Sequence, residues 1–135
     1  MKNKKNSLVT LDKFIEDSLY NKKLGYYMKK NPFGQGGDFI TAPNISILFS
    51  EMIAIWIISF WEKLDCPKKF NLIELGAGNG EMMRILISTF NKFPKFKNSC
   101  KINILEKSKL LQRIQKTNIK NAEIRWLNDL NELNN

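Results

Sequence analysis

Asn71-Leu-Ile-Glu-Leu-Gly-Ala-Gly-Asn-Gly-Glu81 decides how this 135-residue chain folds. An apolar run carrying one acid (Leu72, Ile73, Glu74, Leu75) meets glycines on alternate positions, Gly76, Gly78 and Gly80. Apolar side chains then recur at helical spacing: Met82, Met83, Ile85, Leu86 and Ile87. The order is strand, tight turn, helix. Glycines let the backbone take positive φ and approach a ligand closely, and the free N–H groups of a helix start face that ligand. Such an element holds a nucleotide-like cofactor. A glycine-rich αβ turn without a ligand is the competing reading.

Spacing and charge separate the cofactors. The glycines run G-x-G-x-G, not the G-x-G-x-x-G that brings a helix N-terminus onto a pyrophosphate. S-adenosylmethionine carries no phosphate, so a turn need only cradle its amino-acid part and ribose. Glu74 near the strand end would repel a diphosphate but tolerates a sulfonium and an ammonium group. Downstream, Lys101-Ile-Asn-Ile-Leu-Glu106 reads as a second strand ending in an acid. An acid at that tip accepts hydrogen bonds from ribose hydroxyls, usually about 20 residues beyond the glycines. Phe90 to Cys100 reads as a loop that lengthens the gap here. A third strand is expected at Glu123-Ile-Arg-Trp-Leu127, with Asp129 beyond its end. Asp129 either reaches an adenine amino group or caps a helix.

Residues around this unit resemble those of one family. Gly37-Asp-Phe-Ile-Thr-Ala-Pro43, followed by Ile45, Ser46, Phe49, Glu51 and Trp56, is similar to the signature of the MidA family. Gly25-Tyr-Tyr27, the segment from Phe70 to Gly80, Leu105-Glu106 with Ser108, Ile114-Gln115, and Trp126 to Leu130 follow in family order. The resemblance implies a class I S-adenosylmethionine-dependent methyltransferase whose mitochondrial relatives methylate a protein arginine in respiratory complex I assembly. It implies an α/β fold: an N-terminal helical segment (1–65), then the first half of a Rossmann-like parallel sheet (66–135). It also implies that Asp38 and Thr41 are candidate residues of the pocket, beside cofactor contacts at Glu74, Gly76, Gly78, Gly80, Glu106 and Asp129. Asp38 and Thr41 read equally well as a turn held by its own hydrogen bonds.

The chain departs from the family in two ways. The family turn reads Gly-Pro-Gly-Arg-Gly, where this chain has Ala77 and Asn79. Relatives continue for about as long again, through an Asn-Glu-Phe-Phe-Asp type segment that helps form the acceptor pocket. The chain is therefore expected to be truncated, and no catalytic residue is assigned. In a sheet ordered 3-2-1-4-5-7-6, three strands leave the central one at an open edge. Poor stability or aggregation of the chain alone follows as an expectation.

Composition sets looser bounds. The net charge is +9, yet of 22 basic residues only Arg84, Arg113 and Arg125 are arginines. Heavy use of Lys, Asn and Ile matches an AT-rich genome better than a nucleic-acid surface. Phe93-Pro-Lys-Phe-Lys97 interleaves aromatics with lysines, but reads as a solvated insertion, and no nucleic-acid partner is expected. There is no His, and Cys66 and Cys100 form no Cys-x-x-Cys. Neither a zinc site nor a Ser-His or Cys-His nucleophile is expected. Cys66 is read as a buried or half-buried thiol.

Met1 to Ser7 reads as a flexible tail without a secretory or transit pattern. Leu11, Phe14, Ile15 and Leu19 predict a first helix, Gly25 to Ala42 a loop, and Asn44 to Leu64 one long helix. The longest clean apolar run of that helix, Met52 to Ile58, is far short of the roughly 20 residues that span a bilayer. A bacterial cytoplasmic protein is expected, or a mitochondrial matrix protein in a eukaryote, acting on a protein substrate. Two further readings stay open. One is a non-catalytic cofactor- or partner-binding fragment acting in complex I assembly. The other, a nicotinamide-dependent oxidoreductase, is disfavoured by the glycine spacing and Glu74.

Overall fold

The computed structural model describes residues 8–120 and 122–134. The expected flexible tail lies outside the described residues. Four helices come first: α1 (Leu11–Tyr20), α2 (Tyr26–Lys29), α3 (Ala42–Ile45) and α4 (Ile47–Lys63). Then come β1 (Phe70–Leu75), α5 (Glu81–Phe90), α6 (Pro94–Ser99), β2 (Cys100–Leu105), α7 (Lys109–Asn118) and β3 (Ile124–Leu127). A 3-10 turn at Leu130–Asn134 follows. The strands form one parallel sheet in the order β1-β2-β3. This is the α/β arrangement expected, with helices carrying the crossovers that parallel pairing requires.

The register aligns the carboxyl ends of the strands. Phe70 opposes Cys100 and Leu75 opposes Leu105, while Leu105 opposes Leu127. Backbone bonds continue the ladder past the strands: Gly76 N–H donates to the Leu105 carbonyl (2.9 Å), and Glu106 N–H to the Leu127 carbonyl (3.0 Å). β1 and β2 each therefore hand their first loop residue to the next strand.

The core forms where α4 and α5 pack on the sheet. Met83, Leu86, Ile87 and Phe90 of α5 meet Ala54, Ile58 and Trp61 of α4 and Ile104 of β2, all buried. The core therefore runs across the boundary expected at residue 65. At that boundary Asp65 and Cys66 take left-handed backbone (φ 59° and 52°), and the Cys66 N–H bonds back to the Trp61 carbonyl. This turn carries Cys66 to the surface, so the expectation of a buried thiol is wrong.

Three segments differ from the sequence reading. The long helix breaks at Ser46, whose extended backbone (φ −142°, ψ 123°) separates α3 from α4. The loop from Gly25 to Ala42 contains a helical turn, α2, capped at Gly25. The expected loop from Phe90 to Cys100 holds α6, begun by Pro94 in its first turn. Phe96 of that helix is 1% exposed, edge-on to Trp61 (5.5 Å) and tilted against Phe90 (4.6 Å). Aromatic–lysine interleaving here is an amphipathic helix, and Phe96 has no free face on which a base could stack.

β1 is half-buried rather than enclosed on both faces: among the described residues it pairs only with β2, and Leu75 is 65% exposed. The outer side of α4 also presents Leu48, Met52, Trp56 and Phe60 to solvent. Among the described residues no helix is long and apolar enough to cross a membrane. Phe96→Ala is expected to cost about 3–5 kcal/mol. Phe93→Ala, at a position 38% exposed, should cost under about 1 kcal/mol. Urea denaturation of the two variants checks the assignment of α6 to the core.

Candidate functional site

The three glycines after β1 all take left-handed backbone: Gly76 at φ 72°, Gly78 at 55° and Gly80 at 84°. Space adds a second reason at two of them. A Cβ on Gly78 would stand 3.4 Å from two ring carbons of Phe33, and one on Gly80 would stand 3.1 Å from Ile119 Cδ1 and 3.3 Å from Gln115 Cα. At Gly76 the same position is open. The turn is therefore packed on two sides and free on one.

On the free side lies a cleft of about 160 Å³. Phe33, Thr41 and Pro43 line it from the N-terminal segment, and Glu74, Gly76 to Asn79 and Met82 from the βα unit. Among the described residues its lining holds one carboxylate and no basic side chain. Glu74 Oε2 is buried and has no hydrogen-bond partner among the described residues. Burial pushes its carboxyl up to about 7, because the charged form loses hydration and gains no donor in exchange. At the start of α5, Glu81 is held by Arg84 in a two-point pair (2.6 and 2.9 Å). A larger hollow, about 780 Å³, opens at the other end of the strands, around Asn71, Lys101 and Arg125. The smaller cleft is the candidate, since open α/β sheets bind ligands beyond the carboxyl ends of their strands.

Glu106 follows β2 as expected but does not line the cleft. It is 5% exposed, with Oε1 accepting the Ser108 N–H (2.9 Å) and Oε2 accepting from Gln115 Nε2 (3.0 Å). Gln112 Nε2 donates to its backbone carbonyl (2.7 Å). Ser108 caps α7 by accepting from the Leu111 N–H, and its hydroxyl donates to the Tyr27 carbonyl at 2.7 Å. This bond ties the N-terminal segment to the β2 tip. Asp129 accepts from the Asn131 N–H (2.8 Å), the geometry of a cap on the final 3-10 turn.

Of the two pocket candidates in the N-terminal loop, Thr41 lines the cleft and donates to Asn44 Oδ1 (2.9 Å). Asp38 stands outside it, accepting from the Tyr26 hydroxyl and from Lys30 Nζ. The Lys30 ammonium holds the Asp38 carboxyl below its usual range. Phe33, Ser108 and Gln115 received no role from the sequence. Gln115 had one legible signal: it falls four residues from both Leu111 and Ile119, on the buried stripe of α7. A glutamine on an apolar stripe needs buried partners.

Known proteins resemble this chain in sequence and in fold. The NDUFAF7 homologue of Drosophila melanogaster, a mitochondrial protein arginine methyltransferase, is 36% identical over 107 residues, 79% of this chain and 24% of that protein. The human protein arginine methyltransferase NDUFAF7, also mitochondrial, is 34% identical over 109 residues, 79% of this chain and 25% of its own length. The fold matches that of a COG1565 superfamily member from Burkholderia thailandensis solved with S-adenosyl-homocysteine bound. The TM-score is 0.76 at 26% identity, over 90% of this chain and 33% of that one. The chain thus spans about a quarter of the length of its curated relatives, not the half implied by the resemblance to MidA proteins. Residues 52–135 match the profile of a single family, so the glycine turn, the β2 tip and β3 all lie inside the match. The chain belongs to that family, the S-adenosyl-L-methionine-dependent methyltransferases.

Proposed function

We propose that this chain forms the methyl-donor part of a protein arginine N-methyltransferase, with S-adenosylmethionine in the cleft beside Gly76. The observation that carries this reading is Glu74: a buried, unpartnered carboxylate oxygen in a cleft with no basic group. Such a site stabilises a cation and opposes a diphosphate. Glu74 would accept from the ammonium of the amino-acid part, and the open face of Gly76 would lie against it. Glu106 would take the ribose hydroxyls through lone pairs that Ser108 and Gln115 leave unused. Asp129 is the residue proposed near the adenine, and Asp38 would shape the pocket by holding the loop that carries Thr41.

Bound there, the sulfonium supplies an already activated methyl group. The protein's share is then alignment and exclusion of water. An arginine acceptor would be held by carboxylates in bidentate pairs, outside the residues described above. The acceptor proposed is a respiratory complex I subunit, in the bacterial cytoplasm or the mitochondrial matrix.

Calorimetry with S-adenosylhomocysteine and NADH tests the ligand. The former is expected to bind and the latter not. Gly78→Ala, strained at positive φ and pressed on Phe33, should abolish binding at a stability cost of about 1–2 kcal/mol. Transfer of labelled methyl to complex I arginines by the whole protein tests the reaction; label on no arginine would leave a cofactor-binding assembly protein.

The pH dependence of stability has a defined sign. Glu74 titrates near 7 when folded and near 4.5 when unfolded, so the folded state holds its proton longer. Stability is full below about 4.5, falls as pH rises to about 7, and is flat above. The fall is on the order of 1–3 kcal/mol. Glu74→Gln should remove it in urea titrations across that range. The same variant should remove the rise of S-adenosylhomocysteine affinity with pH, since the ammonium favours ionised Glu74.

A further inference from the structure

We propose that Gln115 is the positioning residue of this site, setting the Gly78 carbonyl and the Glu106 carboxylate with one buried amide. The proposal rests on the methyl-donor reading and adds to it the part that holds the site in shape. Gln115 is 0% exposed. Its Nε2 donates to the Gly78 carbonyl (3.0 Å) and to Glu106 Oε2 (3.0 Å), and its Oε1 accepts from Trp126 Nε1 (3.0 Å). An indole N–H can only donate, and a carbonyl and a carboxylate can only accept, so the amide has one possible orientation. Its three partners belong to the corners after β1 and β2 and to β3 itself.

Two consequences reach the ligand side. The peptide joining Gly78 to Asn79 is planar and trans, so drawing the Gly78 carbonyl to α7 aims the Asn79 N–H away from α7. The cleft wall contains Asn79 and no residue of α7. On the β2 side, Gln115 and Ser108 each take one carboxylate oxygen of Glu106, which fixes the plane of the group. A Cβ on Gly80 would stand 3.3 Å from both Gln115 Cα and Cγ, so only glycine lets the turn lie this near the helix. A residue serving only as packing would not need to match three polar partners in three elements.

The test compares S-adenosylhomocysteine binding by the wild-type chain, Gln115→Leu and Gln115→Glu at about pH 6 and 8.5, with circular dichroism and indole emission alongside. Gln115→Leu takes the Gln115 partner from the Gly78 carbonyl, Glu106 Oε2 and Trp126 Nε1 and is expected to bind roughly tenfold more weakly or worse. Gln115→Glu sets a second carboxylate against Glu106; a shared proton bridges them at low pH and mutual repulsion separates them at high pH. Other charged or titratable groups near this cluster are Tyr20, whose hydroxyl is held up by burial and by Glu106, Lys116 over Trp126 (4.9 Å) and Lys109 at Gln112 (3.4 Å).

The affinity of Gln115→Glu should therefore fall roughly tenfold from about pH 6 to 8.5, against the rise expected of the wild type through Glu74. Its indole emission should shift over the same range. Variants that bind within twofold of the wild type at both pH values overturn the role of Gln115 alone. Failure of the wild type to bind overturns the methyl-donor reading, and this proposal with it. Loss of helical signal in both variants at both pH values assigns Gln115 to folding and likewise overturns the proposal. Where only Gln115→Leu fails to fold, the opposed pH trends of Gln115→Glu and wild type decide.

Discussion

Parallel pairing of β1 with β2 is the constraint on which the site depends. It brings Leu75 level with Leu105, and the Gly76 N–H then reaches the Leu105 carbonyl. A slip of one residue would turn every side chain to the opposite face, taking Glu74 out of the cleft. Register here comes from burial: Ile104 is fully enclosed, and Asn103, 3% exposed, donates to Asn71 Oδ1 and the Lys101 carbonyl. The polar and apolar halves of β2 therefore specify the same alignment.

The glycine turn and Glu74 were legible because their chemistry is local. Alternate glycines announce positive φ, and all three adopt it. An acid on an apolar strand announces a carboxylate that burial will penalise, and Glu74 is that carboxylate. Glu106 was legible in position but not in orientation. Its partners, Ser108 and Gln115, come from a helix whose docking is tertiary. α6 was missed for a related reason. Phe93 and Phe96 look alike in sequence, and only the packing of Trp61 and Phe90 decides that Phe96 goes inside. Ser46 breaks its helix without a side-chain cap, and no residue near it signals the interruption.

Charge and site are decoupled in this molecule. The chain carries +9 overall, yet the cleft holds a lone carboxylate and no cation. The long-range field of the lysines favours anions approaching the surface, while the lining of the cleft carries the opposite sign.

Among the described residues one side of β1 is unpaired, and this is the very strand that delivers Glu74 and Gly76. A polypeptide adding backbone hydrogen bonds along it would damp the motion of the strand end and lower the entropic cost of ordering the turn around a ligand. Thermodynamic reciprocity makes that coupling two-way. Ligand occupancy must tighten the added strand by the same factor by which the added strand tightens the ligand.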